Sequence, residues 1–189
     1  MNSLFYLLDI LVALAILGVA LGLRVIGRLP AQLWQVFLFG TLLGLAWELP
    51  FYLLGPDFQA DPLFVLVQPW PLPTLFLPLL HAVWDGGIFL VGALLVSLLC
   101  PEPTFACFRW RELLVLIIWG ISSALAVEVV GSWGGWAYVP RWWNPALFAA
   151  GGAPVTLLPV IVWAVAPVLL HAAMVLLAHA QRPAPKVAI

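Results

Sequence analysis

The chain has 189 residues, of which 65% are hydrophobic and only 8% are charged, and its mean hydropathy is +1.15. A soluble globular protein is about half apolar and about a quarter charged, so this chain cannot cover itself with polar surface. Composition therefore excludes an ordinary soluble domain and predicts a single integral membrane domain over residues 1–189. The net charge of −1, without a basic patch, argues against a nucleic-acid partner.

Five apolar stretches are long enough to cross a bilayer, which takes about 20 mostly apolar residues per helix. Their length and their lack of alternation exclude membrane-spanning strands. The predicted fold is an all-α bundle of five transmembrane helices. No Lys or Arg precedes the first stretch, so we expect a real first helix rather than a signal peptide. The predicted helices cover about 4–23, 31–54, 73–100, 113–130 and 153–179.

The distribution of basic residues predicts how the bundle crosses the membrane. Cytoplasmic loops are enriched in Lys and Arg, and six of the seven basic residues fall on one side of the five predicted helices. We therefore expect the N-terminus outside and the C-terminus in the cytoplasm, with a bacterial inner membrane as the location. Only Arg141 falls on the outer side. The six others are Arg24, Arg28, Arg109, Arg111, Arg182 and Lys186.

Two long connections are expected on the outer side. Residues 55–73 are rich in proline, and the central LFVLV run suggests a short interfacial or re-entrant piece. Residues 131–153 contain four tryptophans. Because tryptophan is enriched at membrane interfaces, an interfacial belt is one interpretation, favoured for Trp142 and Trp143. For Trp133 and Trp136, a wall against a ligand is the preferred interpretation.

Ionisable side chains inside the predicted helices are the strongest functional signal. An acid at the centre of a membrane costs about 2.5–3.5 kcal/mol on insertion scales, so such residues are rarely accidental. Given the predicted orientation, four acids and one histidine fall in the outer half of the membrane, whereas His171 and His179 of the fifth helix lie toward the inner side. If the five outer residues face one another, they line one cavity that opens toward the outside. They are Asp9, Glu48, His81, Asp85 and Glu128.

The spacing of these residues supports a common site. His81 and Asp85 are four residues apart and share one helix face. Pro50 lacks a backbone donor, which leaves a free carbonyl one turn earlier, beside Glu48. Two plainer interpretations stay open. Water at the interface would solvate Asp9 and Glu128, or Glu48 and His81 would form a purely structural hydrogen bond.

Missing motifs narrow the chemistry. There is no HExxH, ExxH, GxSxG, P-loop or GxGxxG, which argues against zinc hydrolases, di-iron bundles and nucleotide-binding enzymes. Cys100 and Cys107 match no zinc or redox spacing and are expected to remain free thiols. The sequence therefore predicts no metal and no cofactor.

Carboxyl groups, a histidine and indoles in an apolar cavity suit proton-driven chemistry on a lipophilic molecule. A buried neutral carboxyl acts as a general acid, indole faces stabilise a carbocation, and a second carboxylate or histidine removes a proton. We therefore predict isomerisation or cyclisation of an isoprenoid- or sterol-like substrate. The candidate catalytic residues are Glu48, His81, Asp85 and Glu128. The candidate substrate-binding residues are Trp47, Trp84, Trp133, Trp136, Tyr52 and Asp9.

The stretch ELPFYLLG, which begins at Glu48, together with His81 in the third predicted helix, resembles the EXPERA group of emopamil-binding proteins, which are sterol isomerases and relatives. The AWE of the second helix is similar to the small integral-membrane terpene cyclases. These stretches lie in predicted helices two and three. The resemblance implies a membrane isomerase or cyclase in which Glu48 supplies the acid, with His81, Asp85 and Glu128 as partners.

Two other classes of function stay open. Intramembrane acids and a proline-interrupted second helix also suit a small proton-coupled transporter. A non-catalytic subunit of a membrane assembly is the other class, in which His81 or His171 would ligate a pigment. In every case the expected partners are membrane lipids and a lipophilic small molecule.

Small residues four apart allow helix backbones to approach closely in lipid. The chain contains two GxxxG pairs, Gly18 with Gly22 and Gly40 with Gly44. We expect both pairs to pack within the bundle, with a homodimer contact as the alternative.

Overall fold

The structure is a computed structural model that describes residues 4–181 and contains five α-helices in that range. Each helix is long and apolar enough to cross a membrane, which supports membrane insertion and confirms the predicted five-helix architecture. Two of the basic residues behind the predicted orientation, Arg182 and Lys186, lie outside the described residues. The helices are α1 (Leu4–Val25), α2 (Ala31–Leu53), α3 (Phe76–Leu99), α4 (Trp110–Gly131) and α5 (Leu157–Ala180).

Three helix starts differ from the sequence prediction by three or four residues, and one of them is that of α3, which begins at Phe76 rather than at 73. Helix α4 begins at Trp110, so Glu112 belongs to its first turn and is fully buried, whereas the sequence placed Glu112 in a loop. Helix α5 begins at Leu157, because residues 153–156 form a strand that the sequence did not predict.

Helix α3 lies at the centre of the bundle and packs against α1, α2 and α4. Helix α5 packs against α4 and α2 and completes the bundle. Apolar side chains from α2 to α5 and from the α3–α4 connection form the main core, among them Val36, Phe89, Leu116, Trp163 and Leu170. This arrangement gives α3 the position from which one side chain can reach several helices.

Gly40 and Gly44 allow α2 to lie directly against α3. A Cβ atom added at Gly40 would lie 2.7 Å from the ring of Phe89, and one added at Gly44 would lie 2.7 Å from the Cβ atom of Asp85. Real Cβ atoms do not approach other atoms so closely. This GxxxG pair therefore packs within the bundle, as the sequence predicts.

The GxxxG pair of α1 behaves differently. A Cβ atom added at Gly18 or at Gly22 would meet no atom of the described residues within 4 Å. The expectation that this pair packs within the bundle is therefore wrong for residues 4–181. The face that carries it is open on the surface of α1.

The two long connections lie together at one end of the bundle. We call residues 54–75 and 132–156 the cap. The sequence predicted connections here, with an interfacial or re-entrant piece at LFVLV, and it did not predict that the cap contains four short strands. They are β1 (Phe64–Leu66), β2 (Trp136–Tyr138), β3 (Ala146–Ala150) and β4 (Ala153–Thr156).

The strands join the two connections of the cap. Strand β1 pairs antiparallel with β2, so that Phe64 lies opposite Tyr138 and Leu66 lies opposite Trp136. Strands β3 and β4 form a hairpin with a two-residue turn. Both turn residues, Gly151 and Gly152, have positive φ angles, which this tight hairpin turn requires and which glycine adopts without strain.

An ion pair adds a second tie between the two connections. The guanidinium of Arg141 donates to both carboxylate oxygens of Asp61, at 2.7 and 2.8 Å, and to the carbonyl of Pro62. The hydrogen bonds from Arg141 hold the pKa of Asp61 below its usual value. The single basic residue of the second connection is thus engaged within the cap.

Candidate functional site

A cavity of about 280 Å³ lies between the helices beneath the cap. All five helices contribute side chains to its wall, and strands β1 and β2 contribute to its roof. Its volume is close to the lower end of the range of about 300–1,000 Å³ that is typical of small-molecule sites. The polar residues in its wall are those that the sequence singled out in the helices, namely Asp9, Glu48, His81, Asp85 and Glu128.

His81 bridges two carboxyl groups from two other helices. Its Nε2 atom lies 3.2 Å from Asp9 Oδ2, and its Nδ1 atom lies 3.5 Å from Glu48 Oε2. A neutral imidazole donates from one nitrogen and accepts at the other, whereas a protonated imidazole donates from both. The Asp9–His81–Glu48 chain is therefore built to hold a proton and to pass it between helices α1, α3 and α2.

Asp9 is buried against α3 rather than exposed at the surface. Besides the contact of its carboxylate with His81, its backbone carbonyl accepts a hydrogen bond from the Trp84 indole at 3.2 Å. These two contacts join α1 to α3. The alternative in which water at the interface solvates Asp9 does not match this arrangement.

Asp85 differs from the other acids in its environment. Its side chain is only 6% exposed, and its Oδ2 atom has no hydrogen-bond partner among the described residues. The backbone of α2 approaches closely at Gly44, and Asp85 also lines the cavity. A buried carboxyl oxygen without a partner is costly unless a proton or a ligand satisfies it.

Trp136 joins the cap to the polar residues. Its indole nitrogen donates to Glu128 Oε2 at 3.2 Å, and its ring centre lies 5.0 Å from that of His81. Glu128 comes from the last turns of α4, while Trp136 lies on β2. The cap therefore fixes the position of one carboxyl group and packs against the histidine.

Aromatic rings form much of the remaining wall. Tyr52 lines the cavity, and its hydroxyl lies 3.0 Å from the hydroxyl of Thr74 in the cap. Tyr138 lines the roof, where burial, followed by the nearby Glu128 carboxylate, raises the pKa of its phenol. The phenol of Tyr138 thus stays neutral and remains a hydrogen-bond donor.

One candidate from the sequence lies elsewhere. Trp133 is 67% exposed, lies against Gly151 of the cap hairpin, and is not part of the cavity wall. We expected it to face the ligand because a glycine-rich link joins it to Glu128. That link instead turns the chain so that Trp136 faces inward. The other candidates, namely Trp47, Trp84, Trp136, Tyr52, Asp9, Glu48, His81, Asp85 and Glu128, all line the cavity.

The sequence analysis missed five aromatic residues of the wall, and two of them, Phe51 and Phe64, come from α2 and β1. Phe5 comes from the first turn of α1, Tyr138 comes from the roof, and Trp163 comes from α5. The WAY triplet of β2 contained a usable signal for Tyr138, because alternate residues of a strand face the same side and Trp136 was already a candidate. Phe5 is four residues before Asp9 and shares its helix face, a signal that the spacing could have provided. Trp163 stands in an apolar stretch of α5, where sequence periodicity does not distinguish a cavity face from a lipid face.

A second buried cluster lies at the opposite end of the bundle. Glu112 Oε2 lies 3.1 Å from His171 Nε2 and accepts a hydrogen bond from the backbone N–H of Phe105, also at 3.1 Å. Arg109 donates to the other oxygen of Glu112 at 3.3 Å. Both carboxylate oxygens are therefore occupied by protein groups. The Glu112–His171 cluster fastens the α3–α4 connection to α5.

Two further observations bear on cofactors. Within residues 4–181, no group of three or more His, Cys, Asp or Glu side chains is arranged to hold a metal ion. Cys100 and Cys107 are free thiols, as the sequence predicts. The groups available in the cavity are thus carboxyls, an imidazole, two phenols and indoles.

Comparisons with protein-family models, with curated proteins and with solved structures find no match for this chain. A proposal about function therefore rests on the geometry of the cavity.

Proposed function

We propose that this protein is an integral membrane enzyme that moves protons on a lipophilic, isoprenoid- or sterol-like substrate, and so isomerises or cyclises it. The observation that supports this proposal most is the position of Asp85. Asp85 lines one apolar cavity together with a histidine that two further carboxyl groups hold, and its Oδ2 atom, which lies against α2 at Gly44, has no hydrogen-bond partner among the described residues. An acid and a base with different environments, facing the same space, are the arrangement that proton-transfer chemistry requires.

In this proposal Asp85 supplies the proton. A neutral carboxyl at Asp85 adds its proton to one carbon of a substrate double bond, which leaves a carbocation on the neighbouring carbon and a carboxylate at Asp85. The family resemblance implied that Glu48 is the acid. We assign that role to Asp85, because Glu48 faces His81 at 3.5 Å whereas Asp85 Oδ2 has no partner among the described residues.

The Asp9–His81–Glu48 chain then acts as the base. Loss of a proton from a carbon next to the cation forms the shifted double bond, and the proton passes to Glu48 or His81. The reaction consumes no net proton, because the proton taken up by the chain returns to Asp85 before the next turnover. Asp9 holds His81 in place and shares its charge.

The aromatic wall supports the charged intermediate. Indole and phenol faces attract a cation by about 2 kcal/mol or more when water is excluded. Trp47, Trp84 and Trp136 surround the acids, and Tyr138 covers them from the cap. These rings stabilise a carbocation without offering a strong nucleophile that would capture it.

The substrate class follows from the location of the cavity. We propose that the cavity lies in the outer half of a bacterial inner membrane. The N-terminus is then outside and the C-terminus is in the cytoplasm, because the distribution of basic residues favours that orientation. A cavity walled by membrane-spanning helices is accessible to molecules dissolved in the bilayer. A lipid-soluble alkene meets this condition.

A specific observation bears on the competing transporter hypothesis. The buried Glu112–His171 cluster places ionisable groups at the opposite end of the bundle, where the sequence predicted histidines but no acid inside the helices. However, Trp163 and His171 are eight residues apart on α5, about 12 Å at 1.5 Å per residue. The core around this stretch is apolar and includes Leu116, Ala166 and Leu170.

The test of the proposed function uses deuterium. Lipids that co-purify with the protein are extracted, identified by mass spectrometry and returned to purified protein in heavy water. We expect the wild-type protein to place deuterium on carbon in one of these lipids. Asp85→Asn and Glu48→Gln are each expected to lower the rate by about 10²-fold or more, because general acid–base catalysis contributes about 10²–10⁴-fold.

A matched control is Asp57→Asn, which removes a carboxylate from an exposed position of the cap and should leave the rate unchanged. Wild-type incorporation rates in folded Asp85→Asn protein would contradict the assignment of the acid. Equal loss in Asp57→Asn would show that the assay does not report on the cavity.

A further inference from the structure

The cavity and the apolar core share a wall. Trp47, Ala124 and Trp163 line the cavity, and the same three residues also pack in or against the main core. Trp163 is the largest of them that is buried, at 7% exposure. One face of this indole therefore looks into the cavity, and the other lies on tightly packed core residues.

Three aromatic side chains pack against one another at this wall. The ring centre of Trp163 lies 5.8 Å from that of Trp47 and 5.0 Å from that of Phe89, and Trp47 and Phe89 are 6.5 Å apart. We call Trp47, Phe89 and Trp163 the aromatic floor. It lies on the side of the cavity away from the cap, since the roof is formed by β1 and β2.

The backbone behind the floor limits its movement. A Cβ atom at Gly120 would lie 3.1 Å from the Trp163 ring, and one at Gly40 would lie 2.7 Å from the Phe89 ring. Both rings thus press directly on the backbone of a neighbouring helix. The floor cannot recede unless a helix moves, so it sets a fixed depth for the cavity.

We infer that the aromatic floor, and Trp163 above all, sets the chain length of the isoprenoid that the cavity accepts. This inference rests on the proposed function for the class of ligand, and it adds a residue that determines specificity. With the reacting double bond placed at Asp85 and His81, the apolar chain extends from there to the floor. A chain that is too long meets the indole of Trp163.

Replacement of Trp163 should extend the cavity into the core. The core cluster that contains Phe89 and Trp163 also contains Ala93, Ala166 and Leu116, whose small or flexible side chains cannot fill the volume of an indole. Apolar cavities of this kind stay dry and accept apolar ligands. The added space is continuous with the existing cavity, because Trp163 is part of both walls.

The experiment measures binding rather than turnover. Geraniol, farnesol and geranylgeraniol are offered as an equimolar mixture to purified protein, and native mass spectrometry gives the fraction bound of each. Relative to wild type, Trp163→Leu is expected to increase the ratio of the next longer prenol to the preferred one about tenfold, because each newly buried methylene adds favourable burial. Trp119→Leu is the matched control, since this indole packs on α3 at Gly92 and is not part of the cavity wall.

A second variant covers the case in which Trp163→Leu does not fold. Ala124→Val adds volume at the same wall and should shift binding toward the shorter prenol. The inference is overturned if folded Trp163→Leu or Ala124→Val retains the wild-type preference, if Trp119→Leu shifts it equally, or if wild-type protein binds none of the three prenols. A shift in prenol preference without deuterium incorporation would support chain-length selection by the aromatic floor and reject the proposed catalysis. Deuterium incorporation without a shift in preference would support the catalysis and reject chain-length selection by the floor.

Discussion

The two ends of the bundle each bury a histidine against a carboxyl group, and they differ in what happens to the remaining polar atoms. In the Glu112–His171 cluster, both carboxylate oxygens are taken by protein groups. In the cap-side cavity, His81 holds two carboxyls, and Asp85 Oδ2 has no partner among the described residues. The same residue types therefore form a fully hydrogen-bonded cluster at one end and a partly unpartnered cluster around a cavity at the other.

This difference in hydrogen-bond partners distinguishes buried charged groups that only hold helices together from buried charged groups that can act on a ligand. A buried ion pair whose groups are all satisfied stabilises one arrangement of helices, and nothing is left over to act on a ligand. A cavity lined by carboxyls that are only partly satisfied has capacity to bind or to transfer a proton. Satisfaction of each polar atom, rather than burial alone, distinguishes the two ends.

The largest expected effect compares the loss of stability at the two ends. Glu112→Ala leaves His171 and the Phe105 N–H without their acceptor, so we expect the free energy of unfolding to fall by about 3–5 kcal/mol. His81→Ala should cost less, because its side chain is 16% exposed and borders the cavity, where protons or water can satisfy Asp9 and Glu48. Unfolding of both variants in detergent micelles measures the difference. Equal losses would contradict the distinction between the ends.

The second effect concerns the backbone opposite Asp85. Gly44→Ala places a Cβ atom 2.7 Å from the Asp85 Cβ atom, so we expect a loss of about 1–3 kcal/mol from overpacking and a displaced Asp85 carboxyl. Gly18→Ala is the matched control on α1. Nothing lies within 4 Å of its new methyl group, so it should gain up to about 1 kcal/mol from helix propensity. A Gly44→Ala protein as stable as Gly18→Ala would show that α2 and α3 are not in close contact.

The third effect concerns the link between the cap and the cavity. Trp136→Phe keeps an aromatic ring near His81 but removes the N–H that donates to Glu128, so we expect a loss of about 0.5–1.5 kcal/mol. Trp133→Phe, at an exposed position of the same connection, should change stability little. Thermal unfolding of both variants measures the contrast. A larger loss of stability in Trp133→Phe than in Trp136→Phe would contradict the contact between Trp136 and Glu128.

The smallest effect is a pH dependence at the edge of the cap. Hydrogen bonds from Arg141 lower the pKa of Asp61 in the folded protein, so this pair stabilises the cap above the usual pKa of an aspartate. The stabilisation is lost as the pH falls through the lowered pKa. Hydrogen exchange at the Val139 N–H, which donates to the Leu63 carbonyl, should therefore gain protection as the pH rises through this window. The exchange rates are corrected for the intrinsic effect of pH. Asp61→Asn should then abolish the gain in protection. A gain that persists in this variant would show that another group causes it.

The sequence predicted the helices and most of the cavity for a simple physical reason. An acid or a histidine in a membrane helix is costly unless it faces a partner, so the sequence alone predicted a common site for Asp9, Glu48, His81, Asp85 and Glu128. The apolar residues of the cavity carry no such signal. The sequence on either side of Trp163 is as apolar as the sequence around residues that face lipid.

The cap and the second cluster could not be predicted for different reasons. Short strands in the cap depend on pairing between residues 64–66 and 136–138, which are far apart in the chain. Glu112 follows basic residues at a helix start, which is the pattern of a solvated helix terminus. Only the approach of α5 and of the preceding connection shows that Glu112 is buried.

An experimental structure of the protein purified with its native lipid tests the central claim most directly. We predict an elongated density in the cavity, with one part against Asp85 and His81 and its end on the ring of Trp163. Asp9 and Glu48 should contact opposite nitrogens of His81. A map in which these carboxyl groups point away from His81, or in which the lipid density lies only on the outer faces of the helices, would contradict the account.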